Sequence, residues 1–218
     1  MNPVLQVFLL SQSILLAAIT GAVKWKGMEP TYRPFVILCF AIALNEVVRY
    51  VLILQGCTNL VSYNLFLLLI SWLYLWMYRQ WGVFSNHPRH YSIILAAMVA
   101  GWVLEHLVLQ GNQLPVRTPY YRLGFAMLQV MLAVVLINQL IVTERRSLLT
   151  NPKFMAGVAI IIYFTYRILV DAFSLQGYSK PFLASISNLN RYLVQAMNIL
   201  FFIAALWIPR KKKFILPS

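Results

Sequence analysis

Seven blocks of apolar residues run through this chain of 218 residues. A helix needs about 20 consecutive apolar residues to cross the hydrocarbon core of a bilayer. The blocks lie at residues 4–23, 35–54, 60–78, 91–109, 120–142, 154–173 and 182–207. The pattern therefore predicts an all-α integral membrane protein, a seven-transmembrane-helix bundle that forms one domain over residues 1–208.

The composition excludes a water-soluble protein. Hydrophobic residues make up 61% of the chain and charged residues 11%, which is too little charge to cover a solvated surface. The net charge of +13 would suggest a nucleic-acid partner in a soluble protein. Here the placement of the charges explains the excess, so the partner that we expect is the lipid bilayer and not a nucleic acid.

Lysine and arginine concentrate in the loops on one side of the predicted spans, and this asymmetry predicts the orientation. One side carries only Arg117 and Lys180, and Arg122 lies at a membrane edge. The other side carries twelve: Lys24, Lys26, Arg33, Arg79, Arg89, Arg145, Arg146, Lys153, Arg210, Lys211, Lys212 and Lys213. That side should be cytoplasmic. We therefore expect a multi-pass protein of the cytoplasmic (inner) membrane, with its amino terminus outside and residues 209–218 as a short basic cytoplasmic tail.

Seven charged residues fall within the spans, where a charge normally faces a cavity or a partner. They are Glu46, Arg49, Glu105, Arg122, Arg167, Asp171 and Arg191. With the predicted orientation, all seven lie in the outer half of the membrane. Glu46 and Arg49 are three residues apart, and Arg167 and Asp171 are four apart, so each pair can meet on one helix face.

Uncharged polar residues extend this pattern at similar depths. The last span has a polar stripe at three- and four-residue steps, formed by Ser185, Asn188, Arg191, Gln195 and Asn198. We expect a pocket open to the outside and lined by spans 2, 3, 4, 6 and 7, with an apolar plug below it at 67–70 and 201–206. The candidate ligand-pocket residues are Asn45, Glu46, Arg49, Asn64, Glu105, His106, Tyr121, Arg122, Arg167, Asp171, Asn188, Arg191 and Gln195.

The four arginines outnumber the three acids, and arginine binds carboxylate or phosphate in a bidentate manner. A small polar ligand, with anionic character slightly favoured, is therefore the first interpretation. The alternative is that the buried arginine–acid pairs hold the helices together and bind no ligand.

No pattern of residues predicts catalysis or a cofactor. His87 and His90 lie on the cytoplasmic side and His106 on the opposite side, so they cannot converge on one metal ion. The last span has no lysine for a retinal Schiff base. The chain is therefore expected to be neither an enzyme nor a cofactor protein, and its catalytic and metal sites are predicted as none.

The chain resembles an uncharacterised seven-transmembrane-helix family of Bacteroidota, often encoded beside sensor histidine kinases. The residues that carry the resemblance are Asn45-Glu46, Gln55-Gly56-Cys57-Thr58-Asn59, Tyr63-Asn64, Asn151-Pro152-Lys153-Phe154, Tyr163-Phe164, Asn198-Ile199-Leu200-Phe201 and the exit from Trp207 to Lys213. The family tends to carry an acid midway along the third span, where this chain has Ser71. The resemblance implies a signalling neighbourhood and no particular reaction.

The resulting hypothesis is a receptor-like protein. A ligand enters the outer pocket, and the basic cytoplasmic loops contact a signalling protein. A small transporter or channel is the main alternative, and a structural subunit of a larger complex is the second. Transporters need broken helices, whereas the prolines here lie at span ends and the inner half lacks polar residues, which favours a receptor.

Overall fold

The computed structural model describes residues 3–109, 118–143, 148–176 and 178–209. These residues form eight α-helices, with short 3-10 and π segments between them and no β-strand. The helices are α1 (Pro3–Ser11), α2 (Ile14–Lys24), α3 (Arg33–Leu54), α4 (Leu60–Gln80), α5 (Pro88–Leu104), α6 (Pro119–Thr143), α7 (Pro152–Leu175) and α8 (Lys180–Trp207). Helices α1 and α2 together make the first span, so the described residues contain seven stretches long and apolar enough to cross a membrane. The predicted all-α seven-span fold is confirmed, and the chain is a polytopic membrane protein.

Proline and glycine set the helix boundaries. Helices α3, α5, α7 and α8 each have a proline in the first turn, where its missing N–H has no helical partner to lose. Two glycines with positive φ follow α3 and α4, Gly56 at 70° and Gly82 at 93°. They mark opposite ends of the bundle, which we call the Gly56 end and the Gly82 end.

The first span is not one helix, which corrects the expectation of unbroken spans. It is interrupted at Gln12 and Ser13, in the middle of an apolar block that contains no proline there. The amides of Ser13, Leu15 and Leu16 donate to the carbonyl three residues earlier, where an α-helix would use the fourth. In the sequence, the feature that coincides with this break is the polar triplet from Ser11 to Ser13.

The core lies toward the Gly82 end and is apolar. Phe35, Val36, Leu75, Met77 and Phe201 are all at most 1% exposed. Helix α2 packs against α3 and α8, and α7 lies between α6 and α8. Helix α5 lies at the periphery, with Tyr91 its only buried residue.

At the Gly82 end, basic side chains lie over aromatic rings. Arg33 lies 5.5 Å from the ring centre of Trp25, Arg79 4.7 Å from that of Tyr91, and Lys153 5.8 Å from that of Tyr32. Cation–π contacts of this kind suit a membrane interface. Several residues of the predicted basic side, namely Arg145, Arg146, Arg210, Lys211, Lys212 and Lys213, lie outside the described residues, as do Arg117 and most of the predicted tail.

Candidate functional site

A cavity of about 300 Å³ lies among six of the seven spans. Its polar wall is formed by Ser11, Asn45, Glu46, Arg49, Arg122, Arg167, Asn190 and Asn198. Its apolar wall includes Leu67, Ile70 and Val194, and its aromatic wall is formed by Tyr63, Tyr74, Phe125, Tyr163 and Phe164. Pockets of this size that combine apolar walls with a few polar groups are typical of small-molecule sites.

Asp171 joins two arginines at the wall of the cavity. The Arg122 guanidinium donates to both carboxylate oxygens, from Nε to Oδ2 at 2.9 Å and from Nη2 to Oδ1 at 2.6 Å. Arg167 Nε lies 3.3 Å from Oδ2, which confirms the expected pairing of Arg167 and Asp171 one helical turn apart. The Asp171 side chain is 1% exposed, so its charge is compensated by the arginines and not by water.

Glu46 and Arg49 form the second predicted pair, with Arg49 Nη2 2.9 Å from Glu46 Oε2. Glu46 Oε2 is buried, and beside this ion pair it accepts no hydrogen bond among the described residues. A carboxylate oxygen can accept more than one contact, so it retains acceptor capacity.

The break in the first span is fixed by Asn198 of α8. The Asn198 side-chain amide donates to Ser13 Oγ at 2.9 Å and to the Ser11 carbonyl oxygen at 3.5 Å. Ser11 and Asn198 both line the cavity. The interruption therefore places a polar turn at the cavity wall instead of a closed, apolar helix face.

Three candidate residues line two further spaces beside α1 and α8. Arg191 and Gln195 line a space of about 110 Å³ that shares Ser11, Glu46 and Arg49 with the main cavity. Asn188 lines a further groove with Arg191 and Gln195. The predicted polar stripe of the last span is thus divided between the cavity and the lateral surface of the bundle.

The remaining candidates, Asn64, Glu105, His106 and Tyr121, are not among the residues that line the cavity, and each is buried with a structural contact. The Glu105 carboxylate accepts from the backbone N–H groups of Tyr120, at 3.2 Å, and of Tyr121. It therefore caps the start of α6, where an anion is favoured. His106 Nδ1 is bonded to the Trp102 carbonyl at 2.9 Å.

Asn64 and Tyr121 connect helices in the same region. The Thr118 hydroxyl donates to Asn64 Oδ1 at 3.4 Å. The Tyr121 hydroxyl donates to Ser71 Oγ at 3.1 Å. These contacts give the two residues a packing role beside the cavity.

The cavity wall differs in two respects from the expected one. Spans 1 and 5 contribute Ser11, Arg122 and Phe125, and span 4 contributes no lining residue. Leu67 and Ile70, expected to plug the pocket, line it instead, and the dense packing lies lower. Tyr63, Tyr163 and Asn190 were not among the candidate residues, although tyrosine and asparagine at cavity depth are the signal that could have identified them.

Two observations bear on what the site can bind. No group of three or more His, Cys, Asp or Glu side chains among the described residues could hold a metal ion. Three arginines belong to the site, at positions 49, 122 and 167, against the two carboxylates of Glu46 and Asp171. The fixed charge of the site is therefore positive by one, which favours an anionic group on a ligand.

Comparison of the chain with protein-family models, with curated proteins and with solved structures finds no match.

Proposed function

We propose that this polytopic membrane protein is receptor-like and binds a small organic anion in the cavity walled by Arg49, Arg122 and Arg167. The observation that carries the proposal is the surplus of guanidinium donors at this site. Each guanidinium has five N–H donors, and Asp171 engages two from Arg122 and one from Arg167. Carboxylate and phosphate groups match the donors that remain.

The Gly56 end of the bundle would face the outside in this proposal. All seven intramembrane charges lie nearer that end of their own helices, and basic residues with aromatic partners gather at the opposite end. The basic end would then contact a signalling protein in the cytoplasm, as the family resemblance implies. A ligand shifts the helices only if it binds one arrangement more tightly than another.

Cysteine labelling tests the location and the access of the cavity. Cys57 is exposed at the Gly56 end and Cys39 is buried, so Cys57 of the unmodified protein should react with a membrane-impermeant maleimide added outside intact cells. In a Cys57→Ser background, N45C and N190C should also react from outside. A204C should not, because Ala204 is fully buried. Protection of Cys57 together with N45C and N190C would refute an outward-facing cavity.

A binding experiment tests the anion preference. Butanoate, benzoate and glycerol 3-phosphate should raise the melting temperature of the purified protein in detergent, and butylamine should not. R167Q should abolish the effect, and R89Q is the matched control because Arg89 is exposed at the Gly82 end. Equal stabilisation of wild type and R167Q would contradict the proposal.

A transporter is the second candidate, and the break at Gln12 and Ser13 favours it. Interrupted helices at a central cavity are common in secondary transporters, where the free backbone groups contact substrate. Labelling of N45C from the cytoplasmic side as well, with inverted vesicles, would favour this candidate. Labelling from outside alone, with and without an anion, supports the receptor.

A further inference from the structure

The cavity also carries buried oxygens that accept no hydrogen bond. Asn190 Oδ1 and Asn198 Oδ1 are buried and have no hydrogen-bond partner among the described residues, and buried Glu46 Oε2 has none beside its ion pair with Arg49. Asn198 is only 2% exposed. Its amide orientation is fixed because its nitrogen donates to the Ser11 carbonyl, and a carbonyl oxygen can only accept. The unsatisfied atom is therefore an oxygen.

These acceptors and the arginines impose opposite demands on one ligand. A simple anion would satisfy the guanidinium groups and leave the two asparagine oxygens without a donor, which is costly in a buried site; it would also lie in the same cavity as the Glu46 carboxylate. A simple cation would satisfy the oxygens and be repelled by the arginines. A ligand that carries both an acid and a hydrogen-bond donor meets both demands, and a positively charged donor also pairs with the Glu46 carboxylate.

The rest of the cavity is aliphatic and aromatic, which limits the size and polarity of the ligand body. Tyr74, Phe125 and Phe164 form a cluster with ring centres 5.4–6.1 Å apart. A volume of about 300 Å³ lies at the small end of ligand pockets. The body of the ligand is therefore compact and apolar.

From this arrangement we infer that the cavity binds an amino-acid-type zwitterion with an apolar side chain. The carboxylate pairs with Arg122 and Arg167, and the ammonium group donates to Glu46 with Asn198 and Asn190 as neighbouring acceptors. The side chain packs on the aromatic cluster. This inference rests on the proposed function, since it names the class of anion that the site takes.

Matched probes test the inference on the unmodified protein. Phenylalanine and leucine should bind, measured by isothermal titration in detergent. Their deaminated analogues, 3-phenylpropanoate and 4-methylpentanoate, should bind about tenfold more weakly or worse, because the buried acceptors are then left unpaired. The decarboxylated analogues, 2-phenylethylamine and 3-methylbutylamine, should not bind at millimolar concentration.

Two variants separate this inference from the proposed function. E46Q should weaken amino-acid binding about tenfold and leave the deaminated acids unchanged, whereas a merely structural role would weaken both. R167Q should weaken both, and R89Q neither. Deaminated acids that bind as tightly as the amino acids, with no effect of E46Q, would overturn the zwitterion and leave the proposed function standing. If no amino acid binds but butanoate does, the zwitterion is again overturned; if no anion binds at all, both proposals fail.

Discussion

Asp171 is the residue whose removal should damage the bundle most among the charged groups of the cavity. It is 1% exposed and accepts three hydrogen-bonding or ion-pair contacts from two arginines whose side chains are 12% and 21% exposed. D171N removes the negative charge and leaves two guanidinium groups close together in a poorly solvated site. Breaking a buried ion pair in this way costs about 3–5 kcal/mol.

The geometry also ranks the two arginines. R122Q removes the bidentate partner, at 2.9 and 2.6 Å, and should cost about 2–3 kcal/mol. R167Q removes the contact at 3.3 Å and leaves the bidentate pair intact, so it should cost about 1 kcal/mol. At roughly 2–4 °C for each kcal/mol in a chain of this size, a loss of about 3–5 kcal/mol means that D171N should lower the melting temperature by about 6–20 °C.

A double-mutant cycle in detergent measures the coupling directly. D171N with R122Q should be less damaging than the sum of the single variants, with a coupling of about 1–3 kcal/mol. E46Q is the comparison, because it breaks a pair whose Arg49 side chain is 33% exposed, and it should cost less than about 1 kcal/mol. An additive cycle, or an E46Q loss equal to that of D171N, would refute the account of a buried charge network.

Two further predictions concern residues outside the cavity. E105Q should lower the free energy of unfolding by about 1–2 kcal/mol because it weakens the cap of α6. The control is E29Q, which alters an exposed carboxylate and should not change the melting temperature measurably. Equal losses in the two variants would contradict the capping role. G21A should destabilise by about 1–3 kcal/mol through overpacking, since a Cβ there would lie 2.4 Å from Val36 Cγ2. V36A should partly restore the G21A variant, and G124A, which meets nothing within 4 Å, is the control; failure of V36A to rescue would contradict the close approach of α2 and α3.

The sequence was sufficient to predict the features that depend on residues close to one another along the chain. The seven spans follow from block length and composition, and the pairs Glu46–Arg49 and Arg167–Asp171 follow from helical periodicity alone. The pairing of Arg122 with Asp171 could not be predicted. The two residues are 49 positions apart, and their contact depends on which helices are neighbours, which periodicity does not encode.

Other misses have the same physical origin. The sequence predicts the depth of Glu105 along its helix but not its direction around the bundle. Its carboxylate reaches the start of the next helix and not the cavity. The break at Gln12 and Ser13 contains neither proline nor glycine, the residues that most often signal an interrupted helix, so the sequence does not predict it. At such a break, polar side chains can form hydrogen bonds with a neighbouring helix, as Ser13 does with Asn198. A polar triplet can therefore permit an interruption without proline or glycine.

The packing below the cavity bears on the choice between receptor and transporter. Access from the Gly82 end would require α2, α3 and α8 to separate where their side chains are closely packed. The rings of Phe35 and Phe201 are in contact, with centres 5.2 Å apart. Gly21 of α2 lies so close to Val36 of α3 that any side chain at position 21 would overlap the valine. On α6, Gln129 is fully buried and its side-chain amide has no hydrogen-bond partner among the described residues. The buried Tyr78 hydroxyl donates to its backbone carbonyl, so the interior is not entirely apolar. For the proposed zwitterion, the closely packed α2, α3 and α8 would be a costly path toward the Gly82 end, and this cost favours the proposed receptor over the transporter.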